Sequence, residues 1–159
     1  YFENIEDEKR DLLPLIKSRD LFKLIIVEYP KTDFAIDAKF KIDYINDIMA
    51  SKEIYIGRHY IKKEKWIAAI NRFKNVIENY ETTIYVEEAI HRTVEIYYRI
   101  GLINEATKYA KLLGYNYGSS EWYEKSYAIF NKEYDKVEKN DDKKKSKKGI
   151  IKKFKKLFE

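Results

Sequence analysis

Cysteine is absent from this chain, so disulfides and thiolate metal sites are excluded and the redox compartment is left open. Proline occurs twice and glycine five times in 159 residues. A sheet protein would need more turn residues than that, whereas helices joined by short turns would not. The longest wholly apolar run, Trp66 to Ile70, is five residues, far short of the roughly 20 that span a bilayer. Only two histidines occur, His59 and His91. Neither has a carboxylate or second histidine at a distinctive ligand spacing, so both read as structural and no metal site is expected. Nucleophile elbows, phosphate loops and HExxH are missing, and the many carboxylates read as solvated helix faces. No residues point to an enzyme or to a cofactor. The chain opens on Tyr1 rather than methionine, without the apolar core of a signal peptide, which reads as a fragment or a processed form.

Excess positive charge is also missing from most of the chain, although the formal net charge is +5. Residues 143–158 hold nine of the 32 basic residues and no acid, which leaves 23 basic against 27 acidic residues elsewhere, a net of −4. A mildly acidic body argues against nucleic-acid binding by the folded part.

What the chain does have is a repeat. Counting from Gly57, Tyr60 stands at +3, Ala69 at +12, Phe73 at +16, Val76 at +19 and Glu81 at +24, the marker offsets of a tetratricopeptide helix pair. Gly57 and Ala69 let two antiparallel helices approach closely, and Tyr60 and Phe73 fill the space beside them. Val94, Tyr97, Ala106, Ala110, Leu113 and Gly118 hold the same relative places one unit later, offset by 37 residues against about 34 in the standard repeat. The surplus falls in the Glu81-Thr82-Thr83 turn. A single helix pair cannot cover its own apolar face, so neighbours are required. The expected architecture is an all-α solenoid of antiparallel helix pairs.

Taken in order, residues 12–30 read as a partial repeat, with Pro14 in the first turn of a helix that stops at Pro30. A long-helix repeat follows over 33–81. Asp33 is its expected N-cap, and Phe34, Ala38, Ile42, Ile45, Met49, Ile56 and Tyr60 recur at helical spacing. Pro30 and Gly57 are 27 positions apart where a repeat uses about 10, which calls for a longer first helix or an extra one; one long helix with a bend near Ala50-Ser51 is the favoured reading. A repeat over 83–118 has its first helix ended by Gly101. A closing helix over 120–137, capped by Ser119 or Ser120, then covers that repeat with Trp122, Tyr123, Tyr127, Phe130 and Tyr134. The tail, 138–159, is lysine-rich and expected to be flexible. Within it, 150–158 places Ile150, Ile151, Phe154, Leu157 and Phe158 on one helical face opposite four lysines, the pattern of a weak anchor on anionic lipid. Tyr60 and Tyr97 read as packing residues, whereas Tyr98 and Tyr115 fall off the repeat positions and are candidates for a surface. On the second helix of the central repeat, Arg72 points away from the packed face. An ordinary exposed arginine is the simpler reading there.

Four phrases change that weighting: DFAIDAKFKID (33–43), GRHYIKKEKWIAAINRF (57–73), EEAIHRTVEIYYRIGLINEA (87–106) and LGYNYGSSEWYEKSY (113–127). Together they resemble the BamD family, the tetratricopeptide lipoproteins of the outer-membrane β-barrel assembly machinery, over residues 1 to about 134 and most closely its α-proteobacterial members. The resemblance implies a non-enzymatic scaffold, lipid-anchored in the full-length protein on the periplasmic side of the outer membrane. It implies docking to the POTRA region of the central BamA-like barrel protein, and contact with unfolded barrel precursors mainly through N-terminal repeats not included here. In the family, the arginine of the Asn-Arg pair contacts the membrane-proximal POTRA domain. Arg72 matches that arginine, with Asn71, Arg58 and Lys74 expected to support it. Gly118 departs from the family's proline after Asn116-Tyr117. A generic peptide-binding tetratricopeptide adaptor is the alternative.

Overall fold

The computed structural model describes residues 12–138, and the side chains of residues 12–131. These residues form six α-helices and no strand: α1 Leu13–Glu28, α2 Asp33–Lys62, α3 Trp66–Asn79, α4 Val86–Arg99, α5 Ile103–Tyr117 and α6 Glu121–Glu138. This is the all-α helical array that the sparse turn residues and the repeat markers predict. Two compact units divide it within α4, at Ala89 and Ile90. The tail segment 150–158 with its apolar face lies outside the described residues.

In the first unit, Pro14 sits in the first turn of α1, where a missing N–H is harmless. The helix closes at Tyr29, whose N–H reaches the carbonyl of Ile25, and Pro30 forbids another turn. Thr32, not Asp33, caps α2. Its hydroxyl oxygen accepts from the Ala35 N–H at 3.3 Å and its proton goes to the Tyr29 carbonyl at 2.8 Å. Threonine's hydroxyl serves both turn and helix, while Asp33 takes the first helical position, where its charge suits the helix dipole. α2 then runs 30 residues without interruption.

The buried stripe of α2 is Ala35, Ala38, Ile45, Ala50, Ile54 and Gly57. Phe34, which the apolar spacing groups with this stripe, is 75% exposed instead. α1 and α3 both pack on α2. The Met49 sulfur marks where the unit comes together, taking contacts from Arg19 of α1 at 3.4 Å and from the hydroxyl of Tyr80, just past α3, at 3.9 Å. Between α2 and α3, Glu64 adopts a left-handed φ of 56°, and the Lys65 N–H closes back on the Tyr60 carbonyl at 3.0 Å. Ala69, Phe73 and Val76 of α3 are fully buried. A methyl group added at Gly57 would lie 2.5 Å from the Phe73 ring. Glycine is therefore what brings α2 and α3 to this spacing.

The second unit is assembled around aromatic pairs. Gly101, with φ +82°, turns the chain from α4 into α5. Tyr97 stacks on Tyr109 at 5.7 Å, and Tyr98 meets Phe130 edge-on at 5.3 Å. Tyr98 is thus partly buried between α4 and α6 rather than lining a surface, because the closing helix covers the side of α4 that the repeat frame leaves open. Tyr115 is 91% exposed. His91 is buried, with Nδ1 2.8 Å from the Ser126 hydroxyl and its ring 5.2 Å from Trp122. It serves packing. Ser120 caps α6, its hydroxyl accepting from the Tyr123 N–H at 3.1 Å.

Candidate functional site

Residues 68, 71, 72 and 75 fall on one face of α3, since three or four residues complete a helical turn. Glu53 and Tyr60, two turns apart on α2, face the same space. Together Ala68, Asn71, Arg72, Asn75, Glu53 and Tyr60 line an open cleft of about 310 Å³. Among the described residues its lining presents one guanidinium, one carboxylate, two amides and a phenol beside the Ala68 methyl and the apolar stems of these side chains.

Arg72 does not simply project into solvent. Its Nη1 donates to both carboxylate oxygens of Glu53, each at 3.3 Å, and the two side chains are 41% and 16% exposed respectively. Those distances exceed the 2.7–2.9 Å of a well-made charge-assisted bond. The pair is loosely closed. Asn75 accepts at Oδ1 from the Asn79 amide at 2.7 Å, which leaves its own NH₂ group as a donor beside Arg72.

The other expected members are placed elsewhere. Arg58 does not line the cleft. Its Nε and Nη2 go to the two oxygens of Glu88 at 2.7 and 2.5 Å, a bidentate pair between α2 and the first turn of α4. Glu88 is 6% exposed and Arg58 52%, so a buried carboxylate at a helix N-terminus takes up the whole fork of this arginine. Lys74 is two residues from Arg72 on α3, about 200° around the helix, and does not line the cleft either. Tyr60 is half-buried, with its ring on the cleft rather than wholly in the core. Of the packing residues, Gly57, Ala69, Phe73, Tyr97 and Ala106 are all buried.

Glu53 and Asn75 are the site residues that the sequence does not disclose. Asn75 was within reach, because it lies four residues after Asn71 on the same helical face. Glu53 stands 19 positions from Arg72 on another helix, and nothing in its local sequence marks it.

Asp47, also on α2, has its carboxyl pushed above the ordinary value of 3.8 by burial, against a lowering contact from the Ile84 backbone and with Asp43 adding repulsion. Exposed Glu121 is held below its ordinary value by the Lys125 ammonium that hydrogen-bonds to it. Among the described residues no group of histidines and carboxylates is arranged to hold a metal ion, and no helix is long and apolar enough to cross a membrane.

A family profile described as YfiO, outer membrane lipoprotein, matches residues 1–112. The chain is similar to the outer membrane protein assembly factor BamD of Rickettsia prowazekii, with 46% identity over 129 residues, 81% of this chain and 51% of the relative. Its similarity to the BamD of Caulobacter vibrioides is 43% over 131 residues, 82% of this chain and 43% of the relative. The BamD of Vibrio cholerae is 26% identical over 113 residues. The chain spans about half the length of the first two of these curated relatives.

Proposed function

Because the chain belongs to the YfiO (BamD) family of outer membrane lipoproteins, we propose that it is the part of an outer membrane protein assembly factor that docks the machinery's central barrel protein. The contact is made by the α2–α3 cleft with the membrane-proximal POTRA domain of that protein, and Arg72 is its principal donor. The observation that carries this reading is the placement of Arg72. It stands at the mouth of a polar cleft, half exposed, with one nitrogen on Glu53. Arginine suits such a contact because its planar fork can take a second acceptor while holding the first. Asn71 and Asn75 extend the donor set along the same helical face. Arg58 and Lys74 stand outside it.

The rest of the assignment follows the same footing. The full-length protein works on the periplasmic side of the outer membrane as a scaffold without catalytic chemistry. Unfolded barrel precursors are received mainly outside this portion, and the 150–158 segment adds a weak contact with anionic lipid. Similarity to two BamD proteins at 43–46% identity favours this reading over a general peptide-binding adaptor.

The test is the affinity of Arg72→Glu for the matching POTRA domain. Reversing the charge is expected to weaken binding by about a hundredfold, since a charge-assisted bond contributes roughly 1.5–3 kcal/mol. Unchanged affinity with intact helicity would remove the cleft from the interface.

A further inference from the structure

The two arginines of the first unit use their forks differently. Arg58 places the Nε–Nη2 edge, the one that takes a carboxylate bidentately, on Glu88. Arg72 places only Nη1 on Glu53, and among the described residues its Nε and Nη2 make no side-chain bond. Neither nitrogen is buried without a partner, so the edge suited to a planar oxygen acceptor is unused and reaches solvent, while the third nitrogen is held by Glu53.

The holder is well suited to that task. Glu53 sits nine residues from the end of a 30-residue helix and is 16% exposed, so its side chain has little room to follow Arg72 outward. A largely buried carboxylate also keeps its counter-ion close, because withdrawing Arg72 would leave the charge poorly solvated. At 3.3 Å to each oxygen, the grip restrains the guanidinium without using up its donor strength. A free arginine carries several rotatable bonds that must be fixed when it binds. Here much of that ordering is done before the partner arrives.

We propose that Glu53 is a positioning residue for docking. It holds the Arg72 guanidinium with its Nε–Nη2 edge outward, so that this edge and the Asn75 amide together receive a planar oxygen acceptor on the partner. The proposal rests on the docking role assigned to Arg72 above and deepens it. Glu53 itself does not touch the partner.

The experiment measures binding of the whole chain to the POTRA domain for Glu53→Gln, Arg72→Ala and the double variant, with arginine side-chain Nε order parameters recorded by NMR in the free protein. Glu53→Gln is expected to weaken binding about three- to tenfold, the factor set by one rotamer-rich side chain that must now be ordered on association. It should also lower the Arg72 order parameter and have no effect on affinity once Arg72 is alanine. Tighter binding by Glu53→Gln would overturn the proposal, since the carboxylate would then be a competitor for Arg72. An Arg72 order parameter unchanged in Glu53→Gln would overturn it as well, without needing the partner. So would a loss of affinity from Glu53→Gln of the same size in the Arg72→Ala background. If Arg72→Ala alone binds as the parent does, the docking assignment fails first, and the order parameters still decide whether Glu53 holds the side chain. Should Glu53→Gln prove poorly folded, Glu53→Met provides the same comparison with the buried volume retained.

Discussion

Arg58 and Arg72 stand on neighbouring helices, each within reach of a glutamate on a different helix, yet the fold holds them differently. Arg58 closes both ends of its fork on a carboxylate that is almost wholly buried, at short distances, and ties α2 to the first turn of α4. Arg72 touches a less deeply buried carboxylate with one nitrogen at longer distances, and leaves the rest of its fork unused. Residue type does not separate the arginine that braces the fold from the one proposed to dock a partner. What separates them is how much of the fork the fold has already used.

The comparison breaks most clearly in paired alanine variants. Arg58→Ala should lower folding stability by about 2 kcal/mol, less than the full value for a buried pair because Arg58 itself is half exposed, and should leave partner affinity unchanged. Arg72→Ala should do the reverse, with roughly tenfold weaker binding and a folding change under about 1 kcal/mol. Urea denaturation and a binding isotherm on both variants would show it, and equal stability losses would erase the distinction.

Gly57→Ala is a smaller perturbation that separates the two pairs by geometry. The new methyl would meet the Phe73 ring at 2.5 Å, so α2 and α3 must part slightly, at about 1–2 kcal/mol in folding stability. Glu53 and Arg72 face each other across that helix pair and should be disturbed, whereas Arg58 and Glu88 join α2 to α4. Partner binding should therefore weaken as well, by less than in Arg72→Ala. A variant as stable as the parent would show that Phe73 has room to yield.

The smallest effect belongs to Asp47, a carboxylate whose surroundings disfavour its charge. Its folded value lies above 3.8 because of burial, so the folded state holds the proton more tightly than the unfolded one. The stability gained from protonation is present at pH below 3.8 and is lost as pH rises through the raised value. Asp47→Asn should remove this dependence and raise stability slightly near neutral pH. Denaturation curves collected from pH 3 to 7 provide the check, and a slope identical to the parent would refute the assignment.

Much of the architecture was readable from residues whose effects are local. Pro30 stops α1, Gly101 turns α4 into α5, and the small residue at 57 meets the aromatic at 73, because dihedral limits and close packing act within a few positions or across a fixed repeat offset. The misreadings came where longer range decides. Thr32 displaced Asp33 as a cap because its hydroxyl also bonds the preceding turn. Tyr98 became an interior contact because α6 lies over it, which no repeat marker encodes. Glu53 escaped notice for a related reason. Counting one turn back from Gly57 gives its face, but its pairing with Arg72 depends on how α2 and α3 pack, which no count along the chain supplies.

That same unbroken helix has a mechanical consequence. At about 1.5 Å per residue its 30 residues extend for roughly 45 Å, and Glu53 and Arg58 are hardly more than one turn apart upon it. If Arg72 docks a partner as proposed, strain applied to it enters α3 and passes by packing into the continuous rod of α2, where the neighbouring Arg58 clamp resists rotation. A tug from the partner would then be conveyed along α2 towards its N-terminal end, through a helix that is continuous from Asp33 to Lys62.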